Sequence, residues 1–112
     1  MFSRKERISR ATFARIFSQG RTAYTDKLSL RCSNSQGGNQ YSFVVSAKVS
    51  KLATARNLLK RRGRYIIRKH ADKIEKFLAC IFFFKLGATR LNFSDLEKEF
   101  LALMLRAGII HD

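Results

Sequence analysis

Apolar side chains recur along this chain in three ways, and each predicts a different element. Phe13, Ile16 and Phe17 fall three and four positions apart, which predicts a short helix over TFARIFSQG, capped by Thr12 and closed by Gly20. Around Leu28, Leu30 and Cys32, and again at Tyr41, Phe43, Val45 and Ala47, apolar and polar residues alternate, the period of a half-buried strand. The polar run SNSQGGNQ between them, with Gly37 and Gly38, predicts the turn of a hairpin. From Phe77 to Phe84 the chain is apolar without a break, which predicts a central strand buried on both faces and bounded by Gly87.

Two longer helices complete the pattern. One begins near Lys51 to Thr54 and ends by about Lys73; Gly63 inside it costs about 1 kcal/mol relative to Ala, whether it serves close packing, close approach of RNA, or nothing. The other begins at Ser94 as a capping box with Glu97, carries the core stripe Leu96, Phe100, Leu103 and Met104, and stops at Gly108. The first ten residues, MFSRKERISR, form a basic arm with Ile8 as a staple. The predicted order is helix, strand, strand, helix, strand, helix, within one domain spanning residues 1–112. A hydrophobic content of 46% is enough for a core without disulfide or metal.

Charge changes this picture most in the first long helix. At ~100° per residue, Arg56, Lys60, Arg64, Asn57, Arg68 and Arg61 occupy one arc of roughly 140°. The opposite side holds Ala55, Leu58, Leu59, Tyr65 and Ile66, which predicts that this side packs on the core and holds the cations in place. The formal net charge is +15, and residues 1–73 carry all the excess: they hold 18 basic and three acidic side chains, against five of each in 74–112. Such an asymmetry points to a nucleic acid, whose counterions are released as phosphates are neutralised. An anionic membrane surface is the weaker alternative.

Other chemistries find little support. Cys32 and Cys80 lie 48 positions apart in strand-like runs, without a CxxC spacing or an adjacent His, and are expected to be buried reduced thiols. His70 and His111 are the only histidines, and neither sits by a carboxylate pair; Asp95, Glu97 and Glu99 suit the positive end of a helix. No GxxxxGK loop is present, and no catalytic or metal-ligating residue is expected. Met1 to Arg10 lacks a following apolar segment, and the longest apolar run is eight residues, so a cytoplasmic location is expected. Phe13 and Phe17, at helical spacing, are read from the sequence as core.

The string RNLLKRRGR resembles the RNRxKRxxR signature of the protein subunit of bacterial ribonuclease P, with Arg56, Asn57, Lys60, Arg61 and Arg64 in place. TFARIFSQG resembles that family's FxxVFxxG helix, and FVVSAKVSKLATARN its strand and basic loop before the signature. The resemblance implies an α+β fold, a two-layer sandwich of a four-stranded sheet packed by helices, of the ribosomal protein S5 domain 2 kind. It also implies a left-handed βαβ crossover where general topology favours a right-handed one. It implies a protein partner of a catalytic RNA that, with Mg²⁺ bound mainly by the RNA, removes the 5′ leader of precursor tRNA. The partners are then ribonuclease P RNA and precursor tRNA, with no membrane and no small-molecule substrate.

By the same resemblance Arg56, Asn57, Lys60, Arg61, Arg64 and Arg68, with Lys48 and Lys51 of the preceding loop, would dock on RNA. Phe13, Phe17 and Arg31 would line the cleft for the single-stranded leader, which lifts the two aromatics above a core role. Leu58 departs from the signature's second Arg, so one phosphate contact is lost or moves to Arg62. Arg31 stands where relatives often place an aromatic, which favours a phosphate contact there over stacking. Lys85, Leu86 and Ala88 stand where Arg, Pro and Ala are common. The rival from another class is a structural RNA-binding protein of the ribosome.

Overall fold

Residues 8–111 are described by the computed structural model; the first seven residues of the basic arm lie outside the described residues. The elements are α1 (Arg10–Gln19), β1 (Arg21–Tyr24), β2 (Leu28–Asn34), β3 (Gln40–Val44), α2 (Ala53–Lys69), β4 (Leu78–Phe84) and α3 (Phe93–Ala107). Short 3₁₀ turns lie at Ala71–Lys73 and Ala88–Arg90. The strands form one mixed sheet in the order β1-β2-β4-β3, with β4 antiparallel to β2 and parallel to β3. Three helices pack on this sheet, an α+β architecture of the kind the resemblance implies.

β4 owes its central place to its composition. Six of its seven residues are buried, as expected of a strand covered on both faces. Its insertion between β2 and β3 corrects the predicted hairpin: those two strands do not pair, and β3 reaches β4 through the α2 crossover. The SNSQGGNQ segment instead ties itself to the entry of β4, where the Leu78 N–H donates to Asn39 Oδ1 (2.9 Å) and Asn39 Nδ2 donates to the Glu75 carbonyl (2.8 Å). The hairpin present is β1–β2, turning through residues 25–27. β1 escapes the hydrophobic pattern because only Ala23 in RTAY is partly buried.

The main core lies on one face of the sheet. Leu28, Leu30, Cys32, Tyr41, Leu78, Cys80, Phe82 and Phe84 meet Leu59, Ile66 and Ile67 of α2 and Leu96, Phe100, Leu103 and Met104 of α3. Phe82 centres it, stacked on Phe43 at 5.5 Å and tilted against Phe100 at 5.2 Å. Gly63 is where α2 comes closest: a Cβ there would stand 2.9 Å from Phe43 Cδ1 and 3.2 Å from Phe100 Cζ. Close packing is therefore the reason for this glycine. α3 lies over β1 and β2 and α2 over β3, so the outer flank of α2 follows the open edge of the sheet. Among the described residues the opposite face is covered by α1 and by Ile8 just before it, and Ile16 meets Ala79 and Ile81 there in a much smaller cluster.

Both predicted caps move. α1 is capped by Ser9, whose Oγ accepts the Thr12 N–H at 3.2 Å; Thr12 already lies inside the first turn. Asn92 caps α3 by accepting the Asp95 N–H at 2.8 Å. Glu97 is unavailable for a capping box with Ser94 because its carboxylate is turned to Lys69 at the end of α2 and His70 just after it. Strand β3 ends at Val44, and Ala47 falls in a turn.

Candidate nucleic-acid interface

The cations of α2 are placed by the residues buried beneath them. Leu59, Gly63, Ile66 and Ile67 face the core. Ile67 projects at roughly 20° from Arg56, inside the edge of the basic arc, so the buried stripe runs directly beside it. As a result Arg56, Lys60 and Arg64 are half-buried at the foot of the ridge, whereas Asn57, Arg61 and Arg68 are exposed along its crest. Tyr65 corrects the expected packing side: it is 61% exposed, and Ala55 and Leu58 are only half-buried. The closest approach at Gly63, and not the centre of the apolar residues, sets which side of the helix faces inward.

Tyr65 meets Phe93 at the start of α3, its ring edge-on at 5.6 Å. The flank bearing Lys60 and Arg64 therefore turns away from α3, toward the open edge of β3. Among the described residues Lys60, Arg61 and Arg64 are paired with no carboxylate. Arg56 has a different task as well: its guanidinium donates to the Ser50 carbonyl at 2.8 Å. This bond ties the loop between β3 and α2, with its exposed Lys48 and Lys51, to the start of the helix.

A second group gathers on the other face of the sheet. α1 brings Phe13 and Phe17 together, with near-parallel rings 6.4 Å apart. Phe17 also meets the edge of Phe83 on β4 at 6.1 Å, and the Arg31 guanidinium of β2 lies 4.5 Å from the centre of the Phe17 ring. Arg31 further donates to the Phe17 carbonyl. The structure thus places Phe13, Phe17 and Arg31 side by side, and Phe17 is 48% exposed. Arg31 spends part of its donor set within the protein, which leaves it less free for phosphate than its sequence position suggested.

Phe83 is the residue that sequence reasoning missed. Inside FLACIFFF it looked like core on both faces, yet it is only half-buried. The available signal was the brevity of the helix on that face: ten residues with one narrow apolar stripe, Phe13, Ile16 and Phe17, cannot cover Ala79, Ile81 and Phe83 alike.

The remaining titratable groups serve the fold. Glu97 lies 2.9 Å from both Lys69 Nζ and His70 Nε2. Lys69, then His70, holds its carboxyl below the usual range. Cys32 and Cys80 are free, buried and directly opposed across β2 and β4 in the main core. The contact with Cys80, aided by Arg21, draws Cys32 down to about 7, while the same contact and burial push Cys80 up. Among the described residues no three His, Cys, Asp or Glu side chains converge as a set of metal ligands, and no helix is long and apolar enough to cross a membrane.

The chain as a whole is similar to known proteins in sequence and in fold. A family model described as Ribonuclease P matches residues 2–108. A ribonuclease P protein component from Microcystis aeruginosa is 30% identical over 107 residues, covering 91% of this chain and 89% of that one. The RNase P protein from Thermotoga maritima superposes with a TM-score of 0.78 at 27% identity, over 90% of this chain and 96% of that one. The RNase P protein of Staphylococcus aureus shares the fold more closely, with a TM-score of 0.86 at 20% identity over 95% and 98% of the two chains. Sequence, motif and fold agree: the chain belongs to the ribonuclease P protein family.

Proposed function

We propose that this chain is the non-catalytic, RNA-binding component of a ribonuclease P ribonucleoprotein that removes the 5′ leader of precursor tRNA. The observation that carries this reading is the α2 ridge, whose Lys60, Arg61 and Arg64 are sorted onto one side and unmatched by carboxylates among the described residues. In this reading the ridge docks on phosphates of the catalytic RNA, and Asn57 bonds to a 2′-hydroxyl or base edge. The groove of Phe13, Phe17 and Phe83 stacks unpaired leader bases, with Arg31 and the loop lysines Lys48 and Lys51 along the backbone path.

The RNA supplies the chemistry and holds Mg²⁺. On α3, Glu97 is already engaged by Lys69 and His70, and Glu99 by the Thr25 hydroxyl and the Lys27 N–H. What the protein contributes is positive charge between two polyanions. By offsetting the repulsion of leader and catalytic RNA it lowers the Mg²⁺ that cleavage requires.

Reconstitution tests this directly. With the ribonuclease P RNA encoded in the same genome, the chain should stimulate 5′ processing at low Mg²⁺; absence of stimulation beside a working family member would sink the proposal. The triple variant Lys60→Ala, Arg61→Ala, Arg64→Ala should keep its helix, since Ala is a better helix former than any of the three. Its RNA affinity should lose about two units of log–log salt slope, at roughly 0.7 to 0.9 per phosphate contact. An unchanged slope would remove the ridge from the docking surface.

A further inference from the structure

Tyr65 has no place in the core and none in the basic arc. It projects roughly 40° beyond Arg61, on the flank of α2 that faces α3. At 61% exposure it is among the most solvent-accessible large side chains described. A solvated position on a helix this charged gives no reason for an aromatic ring. Its neighbours one turn before and one turn after are all cations: Arg62 and Arg61 at three and four residues before it, Arg68 and Lys69 at three and four after.

The ring is nevertheless held in place. Phe93 meets it edge to face, interplanar angle 72°, an arrangement that fixes an aromatic ring without covering both its faces. Arg61, Arg62, Tyr65 and Phe93 together line a shallow, mainly apolar depression of about 390 Å³. Lys69 is drawn off by Glu97 at 2.9 Å, so the cations bordering the depression are Arg61 and Arg62. An oriented aromatic face between two guanidiniums, with no carboxylate in the lining, suits a planar ring that carries negative charge beside it. That description fits an unpaired nucleotide better than an apolar or acidic peptide, since it asks for stacking and phosphate contact at once.

We propose that this depression is a base-stacking subsite: an unpaired base of the docked RNA lies on Tyr65, and its flanking phosphates meet Arg61 and Arg62. The proposal rests on the docking role of α2 and adds to it a contact outside the basic arc, one that reads a base and not charge alone. It also gives the α3 flank of the helix a part in RNA binding. Leu58 on that same flank replaces an Arg of the family signature, so Tyr65 supplies by stacking some of the hold that the lost cation would have given.

Three substitutions and two probes test it. The probes are the ribonuclease P RNA encoded in the same genome and inorganic polyphosphate, which carries the charge without the bases. Tyr65→Ala should weaken RNA binding about tenfold, within the range expected for loss of one base–aromatic stack, with the salt slope unchanged because no charge is removed. Tyr65→Phe should bind within about twofold of the unsubstituted chain. The chain has no Trp, so Tyr65→Trp reports from this position alone, and its emission should be quenched by the RNA and not by polyphosphate. Equal RNA affinity in Tyr65→Ala, or equal quenching by polyphosphate, overturns the subsite while leaving ridge docking intact. Failure of the unsubstituted chain to bind the RNA overturns both.

Discussion

The two faces of the sheet are made by the same strands and differ in what covers them. On one, α2 and α3 close over Phe82 and its neighbours, and many of the largest side chains are fully buried. On the other, α1 buries Ile16 against Ala79 and Ile81 and leaves Phe17 and Phe83 in contact with water. The difference separates tasks: one face holds the molecule together, and the other can present aromatic rings because stability does not depend on hiding them. Phe82→Ala should therefore cost about 3–5 kcal/mol in denaturant unfolding, a large share of the roughly 5–15 kcal/mol that holds a domain of this size. Ile16→Ala should fall toward the lower end of about 2–5 kcal/mol, because its pocket is thinner and can collapse. If Ile16→Ala proves the costlier of the two, the contrast between the faces is wrong.

Gly63 sharpens the contrast from the helix side. On propensity alone Gly63→Ala should stabilise α2 by about 1 kcal/mol. The added methyl would meet Phe43 at 2.9 Å, and that ring is itself stacked on Phe82, so it cannot swing away cheaply. The variant should instead be destabilised by about 1–3 kcal/mol, as for other overpacked cores. A rise in the denaturation midpoint would show that the packed face has slack.

What the sequence made legible follows the same division. Where burial is one-sided and strong, periodicity was sufficient: Leu28, Leu30 and Cys32 alternate as read, and Leu96, Phe100, Leu103 and Met104 all face the core. It failed where a non-local partner decides. The β2–β3 hairpin was inferred from two nearby strands and a glycine-bearing loop, but β4, far along the chain, takes the place between them. Glu97 fits a capping box by sequence, but Lys69 at the end of α2 and His70 just after it hold its carboxylate. Helical angle places Tyr65, and an unbroken apolar run places Phe83, in the core, yet both are partly or largely exposed because coverage depends on how closely and how far a helix lies over the sheet. The ridge cations were legible because their arrangement is local to one helix. The groove was legible only through resemblance, since nothing in helical spacing distinguishes Phe17 from a core residue.

Phe17→Ala tests the exposed face at smaller cost to the fold. With its ring 48% exposed, this change should destabilise by much less than Phe82→Ala, on the order of 1 kcal/mol, since only part of the ring's surface leaves contact. Its main effect should be on substrate: affinity for precursor tRNA should drop by roughly 1–3 kcal/mol while affinity for a tRNA without leader stays the same. Measured in the reconstituted enzyme, equal losses for both would place Phe17 outside the leader path.

The smallest effect expected is that of pH on the seam between α2 and α3. Glu97 is bonded to Lys69 and His70, and its carboxyl is held below the ordinary value of 4.5, mainly by Lys69. A group whose folded pKa is lowered binds fewer protons when folded than when unfolded, so stability rises with pH across that interval. The contribution is therefore complete above about pH 4.5 and is lost as pH falls through the folded value. Lys69 moves the other way, raised above 10.5 by Glu97, so its share is complete below that pH and lost above the raised value. Between these limits the unsubstituted chain should exceed Glu97→Gln by a small constant margin that shrinks to nothing in acid. Because Lys69 is exposed, solvent screens the pair, and the margin should be far below the cost of Phe82→Ala. A margin of comparable size would mean that the closed face is held by charge across the α2–α3 seam and not by the packing of its rings.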